Sequence, residues 1–264
     1  MRKSGGIVFI YKTELKSFLK FPSNDSDFVL WVDIRISYTN YEHLLLGCIY
    51  IPPEGSKYTS PDAFNEIESE IISFCSDNTV CALIGDFNAR SGKLSDYIIP
   101  DDGLMNILNY DTDVTLNKEL YGYYKLNLYN VPLDRNSMDN GRVNSYGHKL
   151  IDMCKNNNIF IVNGRIRSDL YGKPTCKESS LIDYFIVASD LFPLISDFEV
   201  LDFDPLCSDI HCRLHVSVDY KSNLHNNNQR ANRIVKPVRW NGDKSQQFID
   251  NIRDRLSVNE LFWS

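Results

Sequence analysis

Nothing in the 264-residue chain approaches the roughly 20-residue apolar run that crosses a bilayer. A secretory leader is also missing from the reading. Only Ile7 to Tyr11 is apolar near the start, charged residues follow, and no small-residue cleavage site does. No two of the seven cysteines stand in C-x-x-C spacing, which argues against a structural zinc site. Their odd, scattered placement inside apolar runs reads as buried thiols of an intracellular protein. Positive charge is short as well: 28 Lys and Arg face 35 Asp and Glu, a formal charge of -7. A globally basic nucleic-acid coat is thereby excluded, and any such contact needs a local basic patch or bound cations. Gly and Pro are not enriched, so collagen-like and low-complexity classes fall away.

What is present is ample apolar material, 43% of residues, enough for one large core. Gly5 to Tyr11 is expected as a buried strand that opens the chain almost at once. Phe28 to Ile36 alternates like a second strand. Leu44 to Ile51 makes a third, stopped by Pro52-Pro53. Ser60-Pro61 is expected to start a helix, with Phe64, Ile67, Ile71, Phe74 and Cys75 on one face. Val80 to Ile84 is the most apolar strand. Residues 91–144 are polar and read as long loops. Ser145 to Asn156 reads as a helix with Tyr146, Leu150, Ile151 and Cys154 inward. Strands are expected at Ile159 to Val162, Leu181 to Val187, Glu199 to Phe203 and His215 to Val218. Many strands and few helices predict an α+β domain over residues 1–220 with sheets packed face to face. Beyond it, 221–239 holds five Lys or Arg and no acid, a basic linker, and Gln246 to Leu256 fits a short amphipathic helix.

Four segments carry chemistry-bearing residues. The strand into Gly85-Asp86-Phe87-Asn88 ends with an acid and an amide, placed on one side by alternation, while Phe87 turns to the core. An Asp/Asn turn after a strand is also common for purely structural reasons. In Ser208-Asp209-Ile210-His211 the acid and imidazole project together from an extended segment, a cation ligand beside a candidate acid, base or phosphate contact. An exposed polar loop is the alternative. Asp183 is a lone acid in the apolar strand Leu181 to Val187 and needs a partner if buried, for which a histidine is suited. An outward-facing acid is the competing reading. Tyr50, just before the Pro-Pro break, could donate to a phosphate or simply pack at the core edge.

Taken in order, Y-x-P-P, a helix, a strand into G-D-F-N, S-x-x-D-Y and S-D-x-H, these segments resemble the endonuclease/exonuclease/phosphatase superfamily. They are most similar to the apurinic-type endonuclease domains of non-LTR retrotransposons. The likeness runs from about Ser4 to Val218 and takes in Tyr146-Gly147-His148-Lys149-Leu150 and Ile161-Val162-Asn163-Gly164-Arg165. It implies a four-layer α/β sandwich with two stacked, mainly antiparallel sheets. It also implies Mg²⁺- or Mn²⁺-dependent hydrolysis of a phosphodiester in DNA, and hence work in the nucleus. By position, Asp86 would activate water, Asn88 would hold the phosphate, Asp209 would bind metal, Asp183 would orient His211 on the phosphate, and Tyr50 would donate to it. Thr175 falls where the family has a small polar residue near substrate.

Two departures from the family pattern stand out. Ile210 separates the acid and base that are usually adjacent, and a small bulge would restore their geometry. The family's Asn-bearing first strand and its metal-binding Glu have no counterpart, so the first strands of the fold are expected to be missing; Glu14 is a poor substitute. Two other readings therefore stand beside a DNA endonuclease: a non-catalytic relic with weak nucleic-acid binding, and a small-molecule phosphoesterase.

Overall fold

The computed structural model describes residues 6–38, 40–98 and 122–219. A six-stranded sheet runs through it. Its strands are β1 (Leu19–Lys20), β2 (Val29–Tyr38), β3 (Tyr41–Tyr50), β4 (Thr79–Asp86), β5 (Ile159–Ile161) and β6 (Asp183–Ala188), in the spatial order β1-β2-β3-β4-β6-β5. Only β3 and β4 pair in parallel, joined by the helical crossover α1 (Ala63–Phe74); the other neighbours are antiparallel. A second sheet is the hairpin of β7 (Ile195–Val200) and β8 (Leu214–Val218). Two further helices are α2 (Tyr123–Leu128) and α3 (Ser145–Asn157).

Strand β4 explains the layering. Both of its faces are covered, so it reads as one unbroken apolar run. Cys81 and Leu83 turn to a core shared with Ile67 and Ile71 of α1 and Leu150 and Cys154 of α3. Val80 and Ala82 turn the other way, to a core shared with Phe198 and Val200 of β7. Helices α1 and α3, the large sheet, and the small sheet with Leu126 of α2 thus form three layers among the described residues. The two sheets, mainly antiparallel, make the expected α+β sandwich, with three layers where the resemblance implies four.

Several local expectations differ from the structure. Ile7 to Tyr11 forms no strand and pairs with none among the described residues, and Val8 and Ile10 are 81% and 88% exposed. Apolar β-branched residues favour a strand only where an edge is there to receive it. Phe9 and Tyr11 pack their rings on Phe21 instead. Helix α1 begins at Ala63 rather than after Ser60, because the carbonyls of Ser60 and Pro61 accept hydrogen bonds from Tyr146 and Lys149 of α3. The strand expected over Glu199 to Phe203 spans Ile195–Val200. The linker over 221–239 and the helix over 246–256 lie outside the described residues. No described helix is long and apolar enough to cross a membrane.

Candidate active site

The register of the large sheet lines up the site. Tyr50, Asp86 and Asp183 are Cα partners across β3, β4 and β6, at one end of three adjacent strands. Directly opposed residues share a face of the sheet, so the three side chains leave on the face toward the small sheet. Gly85 is what lets β4 reach this end. Its φ is +144°, and a Cβ there would collide with the Ile49 carbonyl oxygen.

After Asp86 the chain turns back. Asn88 is in the left-handed region at φ 47°, and its backbone N–H donates to Asp86 Oδ1 at 2.9 Å. Its amide nitrogen donates to Asp86 Oδ2 and to the Ile51 carbonyl, both at 2.9 Å. Phe87 is fully buried between them, as alternation predicts. Asn88 therefore holds the Asp86 carboxylate. Asn144, at the start of α3, holds Asn88 in turn by donating to its carbonyl oxygen at 3.0 Å.

Asp183 is set by a different group of atoms. Thr175 Oγ1 accepts from the N–H groups of Ile182 and Asp183, at 3.1 and 3.0 Å. The Asn163 side chain accepts from Phe185 N–H and donates to the Asp183 carbonyl. Thr175 and Asn163 are both fully buried. Thr175, implied by the resemblance to lie near substrate, is a backbone clamp beneath the site.

His211 arrives from the loop after β7. Cys176 pairs with it as an isolated antiparallel bridge, and Cys212 N–H donates to the Thr175 carbonyl at 2.7 Å. Its Nδ1 lies 2.9 and 3.1 Å from the two Asp183 oxygens, and its Nε2 lies 3.9 Å from Asp86 Oδ2. An ionised carboxylate only accepts, so Nδ1 carries a proton and Nε2 faces Asp86. Residues 86, 183 and 211, far apart in the chain, meet at one point.

Burial and the nearby Asp183 charge push the Asp86 pKa up to about 6, against the hydrogen bonds from Asn88 and the pull of His211. The Asp183 hydrogen bond raises His211, opposed by its burial. A carboxylate strained upward beside a second carboxylate is chemistry that a cation relieves. Ligand atoms of Asp86, Asp183 and His211 all lie within 4.8 Å of one another, so the group fits a divalent ion.

Tyr50 and Asp209 stand outside the three-residue cluster. Tyr50 is half-buried beside Asp86, and its hydroxyl has no partner among the described residues. Asp209 is exposed and outside the cluster. The extended segment expected over 209–211 is a turn instead: Ser208 Oγ accepts from the N–H groups of Ile210 and His211, which breaks the alternation.

Supports that sequence reasoning passed over lie mainly in residues 91–144. Arg165 makes a fully buried pair with Asp96 at 2.7 Å, and Arg135 lies against the same carboxylate. Arg135 also donates to Ser91, which bonds the Tyr184 hydroxyl; that hydroxyl donates to the Ala89 carbonyl. This network ties the residues after Asn88 to the residue after Asp183. Buried polar residues inside a polar stretch leave no periodic signal. The one cue was Arg165 itself, a cation three residues past the apolar strand Ile159 to Val162.

No family model matches the sequence, and no curated protein does. Among solved structures, the chain is similar to the "Endonuclease domain of TRAS1, a telomere-specific non-LTR retrotransposon". Identity there is 15% over 77% of this chain and 69% of that one, with a TM-score of 0.46. It is also similar to the "3'-5' exonuclease (NExo) from Neisseria Meningitidis", at 11% identity over 76% and 71%, with a TM-score of 0.42.

Proposed function

We propose that the chain is a metal-dependent phosphodiesterase that cuts DNA, an endonuclease of the retrotransposon type, housed in residues 1–220. The observation that carries this reading is the meeting of Asp86, Asp183 and His211 at one end of the sheet, with Nε2 of an Asp-held imidazole turned toward a second carboxylate. The ordered sequence motifs support it independently.

Hydrolysis of a phosphodiester needs a base for water and positive charge for the phosphate. With its pKa pushed up to about 6, Asp86 is ionised at neutral pH yet basic enough to take a proton from water. Asp183 fixes the tautomer of His211 and favours its charged form, so the Nε2 proton can meet a phosphoryl oxygen. Tyr50, whose hydroxyl has no partner among the described residues, would donate to the phosphate from beside Asp86. Asn88 keeps Asp86 aimed; to hold a phosphate as well it must release the Ile51 carbonyl. Mg²⁺ or Mn²⁺ would be held by the carboxylates of Asp86 and Asp183, leaving His211 to the phosphate, and when bound would supply Lewis-acid neutralisation of the diester charge. Asp209 joins them only if the Ser208 turn opens. Cutting DNA would set its work in the nucleus.

The test is nicking of supercoiled plasmid with Mg²⁺ or Mn²⁺. His211→Ala and Asp183→Asn should each lose about a hundredfold or more, as for removal of a general acid–base group. Asp209→Ala should lose less, and EDTA should stop the reaction. A parent chain no faster than His211→Ala rejects catalysis. The exposure of Asp209 favours one second reading, a non-catalytic binder of nucleic acid. Salt-sensitive DNA binding that survives EDTA without nicking would select it.

A further inference from the structure

A second constellation sits at the opposite end of the sheet. Strands β3 and β4 run in parallel, and His43 and Thr79 are Cα partners near their starts, as Tyr50 and Asp86 are at their ends. Seven residues of strand separate the two pairs, about 23 Å. His43 Nδ1 lies 2.7 Å from Asp33 Oδ1, and the two side chains keep 26% and 20% exposure. Together with Pro22, Leu45, Phe74, Ser76, Asn78 and Thr79 they line a cavity of about 250 Å³ at the C-terminal end of α1.

Hydrogen-bond direction can be assigned around this cavity. The Asp33 carboxylate only accepts, so His43 donates through Nδ1, and the neutral imidazole presents a lone pair at Nε2. Ser76 donates its one hydroxyl proton to Asn78 Oδ1 at 2.6 Å. The 2.8 Å contact between Ser76 and Thr79 is therefore donated by Thr79, whose oxygen keeps its own lone pairs. Among the described residues, neither His43 Nε2 nor the second Asp33 oxygen has a partner. The last turn of α1 has no basic residue, so its carbonyl end adds negative potential. Lys20 and Arg35 are the register neighbours of Asp33 and His43, and neither forms an ion pair with Asp33.

We propose that this cavity binds the head group of a primary alkylammonium. Three acceptors, His43 Nε2, the free Asp33 oxygen and Thr79 Oγ1, match the three N–H donors of such a group, with one negative charge to balance its own. Pro22, Leu45 and the Phe74 ring offer an apolar wall for its carbon chain. Nothing in this site depends on Asp86, Asp183 or His211.

The probe is n-butylammonium chloride, titrated into the full chain while the side-chain nitrogens of His43 are followed by NMR. Tetramethylammonium chloride, equally charged but without N–H donors, is the control. A saturable shift of His43 Nε2 with butylammonium alone is expected. Affinity should fall about tenfold or more in Asp33→Asn, as for loss of a charged hydrogen bond, and stay unchanged in Asp86→Asn. Thr79→Val gives a second variant should Asp33→Asn fail to fold. No saturable shift, an equal response to tetramethylammonium, or a response to zinc chloride alone would each overturn the proposal.

Discussion

Asp86 is pulled in two directions. Burial and Asp183 lift its pKa to about 6, while Asn88 and His211 draw it down. Its ordinary value is near 3.9, so between about pH 4 and 6 the folded state holds this proton more tightly than the unfolded state. Folding stability from this residue therefore declines as pH rises through that window. Asp86→Asn should be more stable than the parent by about 1–2 kcal/mol at pH 7, with the gap closing below pH 4, read by urea denaturation across pH. In EDTA the Asp86 carboxylate should titrate near pH 6, read by NMR of its carboxyl carbon, and bound Mg²⁺ should draw that value down. At this scale much was legible in the sequence. Asp86 and Asn88 are polar residues set where an apolar run ends, and Asp183 is a lone acid inside one; such positions are costly unless used. The direction of Asp209 was not legible, because two hydrogen bonds to one serine hydroxyl decide it.

At the scale of the element, the end of β4 depends on a residue with no side chain. Gly85→Ala adds a Cβ against the Ile49 carbonyl oxygen at a positive φ. It should cost about 3 kcal/mol or more, with loss of nicking beyond what the stability loss explains, since Asp86 is the next residue. Helix α3 depends on Asn144, whose side chain accepts from both Gly147 N–H and Arg90 N–H at 2.8 Å. Asn144→Ala should lower stability by about 1 kcal/mol through the lost cap and also loosen Asn88; a matched fall in urea midpoint and in nicking rate checks it. Five of the six strands of the large sheet and both long helices were readable in the sequence; the two-residue β1 was not. The opening strand was not, since an apolar run carries no information about whether a neighbour will pair with it.

Across the described residues as a whole, two apolar cores flank one sheet, and the acidic site opens at the sheet's end. The buried Arg165–Asp96 pair stands at the end of β5, where Asp96 also accepts from Ile161 N–H at 2.8 Å and Arg165 donates to the Ile161 carbonyl. Removing one member strands the other. Asp96→Asn should destabilise by about 3–5 kcal/mol, measured by thermal or urea unfolding, and a near-neutral result would refute the assigned role. This pair was invisible beforehand because the long polar stretch gave no period to read, whereas the sandwich itself followed from many short strands and few helices.

The account stands on Asp86, Asp183 and His211 behaving as one coupled group. The most direct measurement is the titration of His211 by NMR in EDTA, in the parent chain and in Asp183→Asn. Coupling predicts a His211 pKa above the ordinary histidine value in the parent and a fall toward or below that value once Asp183 loses its charge. An ordinary value in the parent that does not move in Asp183→Asn would contradict the site as described.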